Sequence, residues 1–158
     1  MNNVDFDFKR IAQGYKNRPF LHKQVICRFQ KDITDKMFFN GLDVGCGAGL
    51  SAKALKRICK RVVGVDFSPE MIMSAREACK AEDGYEFIVS KAEEIPAAKD
   101  RYDIVTAAGV TPWLEQEAFL NNLKNIMHSE GYVLIYDFWI SDKMKGIKFI
   151  QLGGTMTI

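Results

Sequence analysis

The stretch Leu42–Leu50, L-D-V-G-C-G-A-G-L, constrains the fold of this 158-residue chain more than any other. An apolar segment runs into three glycines at alternate positions, Gly45, Gly47 and Gly49. Glycine has no Cβ, so it permits positive φ and lets a ligand approach the backbone closely. A helix that begins after such a turn points free N–H groups at that ligand. The stretch predicts a nucleotide-like cofactor at the carboxyl end of a strand; a tight strand–helix turn without a ligand is the alternative.

Short apolar segments alternate with amphipathic segments along the rest of the chain. Apolar spacing and turn signals, among them Asn40-Gly41 and Glu130-Gly131, predict strands over 42–44, 62–65, 85–89, 102–107 and 132–136. Helices are predicted over 19–31, 51–60, 68–81 and 116–127, with Phe119, Leu120, Leu123 and Ile126 on the inner face of the last one. Strands that alternate with helices indicate a parallel α/β sheet with right-handed crossovers.

Composition narrows the class of protein. The chain is 47% hydrophobic and 27% charged with a net charge of +2, as in ordinary globular proteins. Lysines and arginines are scattered, which disfavours a nucleic-acid partner. Two histidines, and four cysteines without a C-x-x-C pair, predict no metal site. Without a bilayer-length apolar run or a signal-peptide pattern, we expect a cytoplasmic enzyme with reduced cysteines.

The glycine spacing discriminates between cofactors. The fingerprint of dinucleotide-binding proteins is G-x-G-x-x-G/A, whereas here the pattern is G-x-G-x-G and position 50 is leucine. A nicotinamide-dependent oxidoreductase is therefore disfavoured. A tighter glycine loop leaves room for an uncharged sulfonium and an amino-acid tail in place of a pyrophosphate.

At this level of detail the chain resembles the class I S-adenosylmethionine-dependent methyltransferases, in particular the small-molecule branch of the ubiquinone and biotin pathways. The resemblance covers nearly all of residues 10–139. It rests on L-D-V-G-C-G-A-G, V-V-G-V-D-F-S-P-E-M-I, A-E-E-I-P, R-Y-D-I-V and E-G-Y-V-L-I, in the family's order and spacing.

This resemblance implies a single domain, 1–158, with a Rossmann-like three-layer α/β/α sandwich and a mostly parallel sheet of order 3-2-1-4-5. A helical cap would occupy 1–35, the cofactor-binding core 36–139 and a short tail 140–158. The last two strands of the family's seven-stranded sheet are expected to be missing or degenerate, in a fragment or with a tail that forms a poor edge. An exposed fifth-strand edge, or the tail, would then favour a homodimer.

The resemblance also implies the cofactor site for S-adenosylmethionine, whose product is S-adenosylhomocysteine. Gly45, Gly47 and Gly49 would line the methionine moiety, and Asp43 would support the loop and the amino group. Asp66 would accept hydrogen bonds from both ribose hydroxyls; its alternative role is to assist the start of the next helix. The other implied cofactor-binding residues are Tyr15, Arg18, Cys46, Phe67, Met71, Ala92, Glu93, Ala108 and Gly109.

The acceptor side is less defined. We expect a small-molecule acceptor methylated by in-line displacement, and the sequence identifies no catalytic residue. Substrate-pocket candidates are His22, Trp113, Asp137 and Trp139. Lys91 stands where the family often has an aspartate that contacts adenine, and lysine is a donor only. That departure and the short tail leave a second hypothesis, a catalytically inactive cofactor-binding module or partner subunit.

Overall fold

The fold is an open sheet with helices on both faces. A computed structural model describes residues 21–97, 100–138, 148–151 and 154–157. The elements in chain order are α1 (His22–Asp32), β1 (Phe38–Val44), α2 (Leu50–Leu55), β2 (Cys59–Asp66), α3 (Pro69–Cys79), β3 (Tyr85–Val89), β4 (Tyr102–Ala108), α4 (Gln116–Ile126), β5 (Met127–Tyr136), β6 (Lys148–Gln151) and β7 (Gly154–Thr157). Short 3₁₀ turns span Ala92–Glu94 and Thr111–Trp113.

The sheet order is β3-β2-β1-β4-β5-β6-β7. The first five strands are parallel, which confirms the predicted order 3-2-1-4-5. β6 and β7 are antiparallel and only four residues long, so the tail supplies the short form of the last two strands. The predicted exposed edge at β5 is wrong, because Tyr132–Ile135 pair with Gln151–Lys148 of β6.

Apolar side chains pack on both faces of the sheet and form two buried clusters. One cluster joins α1, α2 and α3 to the sheet through residues such as Phe29, Leu55 and Ile72. The other joins α4 to the opposite face through Phe119, Leu123 and Ile126. The predicted inner position Leu120 is wrong, since its side chain is 44% exposed. In the described part of the chain no helix is both long and apolar enough to cross a membrane.

The predicted turn at Asn40-Gly41 is wrong, because both residues lie inside β1. The Asn40 N–H donates to the carboxylate of Asp103, 2.8 Å away. A Cβ on Gly41 would lie 2.7 Å from Cys59 Sγ and 3.0 Å from Leu55 Cδ2. Gly41 is thus required by close packing of the strand against its neighbours, and it makes no turn.

Two further boundaries differ from prediction. The helix predicted over 51–60 ends at Leu55, and Cys59 already pairs with Phe38 of β1, because tertiary pairing outweighs local helical spacing. The predicted turn at Glu130-Gly131 is a bulge inside β5. Pairing with β4 passes from Tyr102–Met127 directly to Ile104–Tyr132, so residues 128–131 lie opposite one residue of β4.

The start of α3 agrees with the sequence. Ser68 is the N-cap, its Oγ accepts a hydrogen bond from the Met71 N–H at 3.2 Å, and Pro69 occupies the first helical position. The helix begins three residues after Asp66, the last residue of β2, so the cap fixes the position of α3 relative to the end of that strand.

Replacing Ser68 by alanine should lower the free energy of unfolding by about 1 kcal/mol, because an N-cap acceptor is lost. The matched control is Ser74→Ala in the same helix, which should change stability by less than about 0.5 kcal/mol because alanine is the better helix former. Urea unfolding followed by circular dichroism measures both. Equal losses in the two variants would contradict the capping role.

Candidate functional site

The glycine loop lies at the carboxyl end of β1, between β2 and β4. The order in which strands are added to the sheet changes direction here: β2 and β3 lie on one side of β1, and β4 lies on the other. In open α/β sheets ligands bind at such a switch point, outside the carboxyl ends of the strands. Gly45, Gly47 and Gly49 all have positive φ, of 66°, 51° and 91°, as the predicted loop requires.

The three glycines face different surroundings. A Cβ on Gly45 would lie 2.1 Å from Val110 Cγ1, so the loop after β4 covers this position. A Cβ on Gly49 would lie 3.3 Å from Ala75 of α3, so Gly49 allows close helix packing. At Gly47 the nearest atom is Met71 Sδ at 4.0 Å. Of the three, Gly47 therefore has the least crowded Cβ position.

Asp66 at the end of β2 connects the glycine loop to α3. Its Oδ2 accepts a hydrogen bond from the Gly47 N–H and its Oδ1 accepts one from the Ser68 N–H, both at 2.9 Å. The second contact is the helix-start role considered as the alternative. The Phe67 N–H is a third backbone donor to this carboxylate. A carboxylate has about four acceptor positions, so capacity remains for a further donor. Burial raises the pKa of Asp66, and the backbone N–H donors counteract that rise.

Asp43 is fully buried beneath the loop. Its carboxylate accepts hydrogen bonds from Ser51 Oγ at 2.6 Å and from Thr106 Oγ1 at 2.7 Å. Burial raises the pKa of Asp43 to about 7, the two hydroxyl donors lower it, and the nearby charge of Asp66 raises it. Asp43 thus joins β1 to α2 and β4 beneath the glycine loop.

Ser51 and Thr106 were not predicted as site residues. The sequence nevertheless contains an indication for each of them. Thr106 is a polar residue in the middle of an apolar strand, and Ser51 occupies the first turn of the helix after the glycines. Buried hydroxyls at such positions need a partner, and a buried carboxylate is a strong one.

The predicted adenine-binding residues lie around the end of β2 and the 3₁₀ turn. The Phe67 side chain is 54% exposed next to Asp66, whereas Met71 is buried beside Gly47. Glu93 Oε1 accepts a hydrogen bond from the Glu115 N–H at 2.9 Å, at the start of α4. The Ala92 carbonyl accepts one from Asn122 Nδ2 at 3.4 Å. Both residues therefore also connect the turn to α4.

Cys46 and the residues after β4 complete the loop surroundings. Cys46 is buried, and burial raises the pKa of its thiol well above the ordinary range, so the sulfur is a neutral packing group. Ala108 is the last residue of β4. Gly109 has φ of 66°, and its N–H donates to the Tyr136 carbonyl at 2.9 Å.

Two of the substrate-pocket candidates, His22 and Asp137, lie near the carboxyl end of β5. His22 Nδ1 lies 3.0 Å from the Tyr136 hydroxyl. A Cβ on Gly109 would lie 3.3 Å from Asp137 Oδ1, so the Asp137 carboxylate lies over the loop after β4. Trp113, 64% exposed, lies farther along that loop. Predictions for Tyr15, Arg18 and Trp139 fall outside the described residues.

Comparison with known proteins gives a family match. Residues 42–135 match the family described as "Methyltransferase domain". An uncharacterized methyltransferase of Schizosaccharomyces pombe is 33% identical over 102 residues, which cover 63% of this chain and 36% of that protein. A ubiquinone biosynthesis O-methyltransferase of Cereibacter sphaeroides is 30% identical over 120 residues, covering 73% of this chain and 49% of that protein. The chain spans about half the length, or less, of these relatives.

Solved structures show the same fold. A SAM-dependent methyltransferase from Aquifex aeolicus has a TM-score of 0.73 and 24% identity, with 90% of this chain and 78% of that chain covered. The N-methyltransferase NodS from Bradyrhizobium japonicum, in complex with S-adenosyl-L-homocysteine, has a TM-score of 0.69 and 19% identity, with 85% and 72% covered. The Rossmann-like methyltransferase fold predicted from the sequence is confirmed.

The raised pKa of Asp43 predicts a pH dependence of stability. In the folded protein its carboxyl binds a proton up to about pH 7, but in the unfolded chain only up to about the ordinary value of 3.8. The folded state therefore holds more protons between these values, and the free energy of unfolding should fall as pH rises through this window, by up to about 4 kcal/mol.

Asp43→Asn should flatten that slope in the ligand-free protein, leaving the part that the raised pKa of Asp66 contributes, as measured by urea unfolding at several pH values between 4 and 8. Asp83→Asn, in the exposed turn before β3, is the matched control and should keep the slope of the unmodified protein. An unchanged slope in Asp43→Asn would show that Asp43 is not the group responsible.

Proposed function

This chain belongs to the S-adenosylmethionine-dependent methyltransferase family, and from that premise we propose that it transfers a methyl group to a small-molecule acceptor by in-line displacement. The observation that carries the proposal is the pairing of Gly47 and Asp66 at the switch point of the sheet. The nearest atom to a Cβ on Gly47 would be Met71 Sδ, at 4.0 Å, and the Gly47 N–H donates to the Asp66 carboxylate at 2.9 Å, beside the place where a ligand would approach.

The residues present fit the cofactor. A carboxylate at the end of β2 suits a ribose diol and disfavours a 2′-phosphate. The exposed ring of Phe67 follows it directly, where an apolar surface would meet an adenine. Gly45, Gly47, Asp66, Phe67 and Met71 are the residues that we propose to hold the cofactor, with Ala92 and Glu93 at the adenine edge and Ala108 and Gly109 beside the methionine chain.

When bound, S-adenosylmethionine supplies an electrophilic methyl group on a sulfur that is a good leaving group. The task of this chain is then to orient the two reactants and to exclude water. Orientation alone is worth up to about 7–11 kcal/mol in favourable cases. Asp43, Ser51 and Thr106 serve orientation by fixing the loop from below, and no described residue needs to act as a base for an acceptor that is already nucleophilic.

We propose that the acceptor approaches at the ends of β4 and β5. Asp137, which lies over Gly109, and His22, which contacts Tyr136, are the described residues best placed to meet it. The similarity to ubiquinone biosynthesis O-methyltransferases supports a small molecule as the acceptor. Trp113 is a further proposed wall residue.

Organisation and location are also proposals. We propose a cap over 1–35, a core over 36–139 and a tail over 140–158. Helix α1 of the cap packs on the core through Val25, Ile26 and Phe29. A homodimer through the tail stays a proposal, now with β7 instead of β5 at the sheet edge. The four free cysteines support a reducing, cytoplasmic location.

Calorimetric titration tests the cofactor. The chain should bind S-adenosylhomocysteine with micromolar affinity and should not bind NAD. Failure to bind either ligand would contradict the cofactor assignment. Turnover of S-adenosylmethionine with a panel of phenols, amines and carboxylates then separates an enzyme from the alternative, an inactive cofactor-binding module, which would bind the cofactor and methylate none of them.

Replacing Asp66 by alanine should weaken binding of S-adenosylhomocysteine by roughly 1–3 kcal/mol, the cost of losing a charged hydrogen-bond partner. Glu117→Ala, an exposed carboxylate on α4, is the control and should leave the affinity unchanged. Because Asp66 also holds Gly47, the titration is repeated with a 2′-deoxy analogue of the ligand. The analogue should bind less tightly than the parent to the unmodified protein, and the two should bind equally to Asp66→Ala; a persistent difference would show that Asp66 acts only on the loop.

A further inference from the structure

A cleft of about 360 Å³ lies on the side of α2 that faces β3. We name it the basic cleft, and its lining residues are Lys53, Lys56, Arg57, Glu82 and Tyr85. A second cleft of about 380 Å³ adjoins it, shares Glu82 and Tyr85, and adds Arg76 and Lys80. The two clefts thus present five cationic side chains around one tyrosine.

The basic cleft lies at the amino ends of β2 and β3, whereas the candidate cofactor site lies at the carboxyl ends of the strands. β2 and β3 run parallel, with Val62 paired to Tyr85 at one end and Asp66 paired to Val89 at the other. Tyr85 is therefore at the amino end of β3, and Asp66 is at the carboxyl end of β2. A ligand in the basic cleft would not compete with one at the glycine loop.

Lys56 is held in position above the cleft. A Cβ on Gly84 would lie 2.9 Å from Lys56 Cε, so the lysine stem packs on the bare backbone of this glycine. Its Nζ lies 5.8 Å from the centre of the Tyr85 ring, in a cation–π contact. Part of the entropy cost of ordering a long side chain is thus met before a ligand arrives.

The charges of the basic cleft are not neutralised by ion pairs. None of the ion pairs found among the described residues involves Lys53, Lys56 or Arg57. In the adjoining cleft, by contrast, Lys80 pairs with Glu77, and Glu86 pairs with Arg61. Glu82 is the carboxylate left facing three cations, so the basic cleft has an excess of positive charge.

The aromatic ring in the cleft argues against a stacked base. One face of Tyr85 stacks on Phe87 with the rings 11° apart and their centroids 5.8 Å apart, and Lys56 lies over the ring as well. Single-stranded nucleic acids need open aromatic faces for their bases. Because the cleft has no open aromatic face, we expect it to bind a ligand through its positive charges. One guanidinium and two ammonium groups suit closely spaced phosphates.

We propose that the basic cleft binds a cluster of phosphate groups, held by Lys53, Lys56 and Arg57. Free oligophosphates and multiply phosphorylated lipid headgroups share this chemistry. Glu82 opposes such a ligand, and its carboxylate sets how tightly the anion is held. This site is independent of the cofactor and acceptor sites.

The test is calorimetric titration of the whole chain with inorganic tripolyphosphate at low salt. The double variant Lys56→Glu/Arg57→Glu should weaken binding at least about tenfold, because two attractive charges become repulsive. Lys124→Glu on α4 removes a lysine from the other face of the sheet and should leave the affinity within about twofold. Binding of S-adenosylhomocysteine by each variant, together with its thermal unfolding, shows that the fold and the cofactor site are intact.

Glu82→Gln provides a second test that does not depend on losing a signal, because it should tighten tripolyphosphate binding several-fold. Vesicles of phosphatidylcholine with and without a phosphoinositide separate the two sources. Retention on phosphoinositide vesicles, lost in the double variant, would identify a lipid headgroup; binding of tripolyphosphate alone would identify a free anion. Absence of binding to both probes, or equal loss in Lys124→Glu and the double variant, would overturn the proposal.

Discussion

The buried carboxylate of Asp43 is the interaction on which the glycine loop depends. It lies where β1 ends, and it holds Ser51 of α2 and Thr106 of β4 through two short hydrogen bonds. A charge placed in the interior is costly unless its hydrogen bonds are satisfied. Two hydroxyls lessen that cost but do not remove it, as the raised pKa shows. In return, one group fixes three elements relative to the loop between them.

A second carboxylate secures the loop from the other side. Asp66 accepts from Gly47 within the loop and from Ser68 at the start of α3, so the loop is tied both to its own strand and to the neighbouring strand and helix. The two acids have different surroundings. Asp43 is closed off from solvent, whereas Asp66 keeps a small exposed fraction of 8% and can therefore meet a ligand. Two aspartates that look alike in the sequence thus have different surroundings, and the proposed role in recognition belongs to Asp66 alone.

At the amino ends of β2 and β3, the predicted helix boundary was wrong, and the basic cleft could not be predicted from it. Spacing predicted a helix over 51–60. The helix instead ends at Leu55, and Lys60 and Arg61 belong to β2. Lys56 and Arg57 lie in the connection, beside the turn that leads into β3. The fold places Lys53, Lys56 and Arg57 around Tyr85, although the basic residues of the whole chain show no cluster in the sequence.

The sequence by itself determined the fold class, the parallel strand order and the glycine loop at the end of β1. Those features depend on glycine stereochemistry, on apolar periodicity and on a cap such as Ser68, all of which act over a few neighbouring residues. Only the tertiary structure decided that Asn40-Gly41 lies in a strand, that Glu130-Gly131 is a bulge and that β6 covers the edge of β5. It also decided which of three similar glycines has the least crowded Cβ position. The physical reason is that strand pairing and side-chain packing join residues far apart in the chain, and no local pattern encodes the identity of the partner.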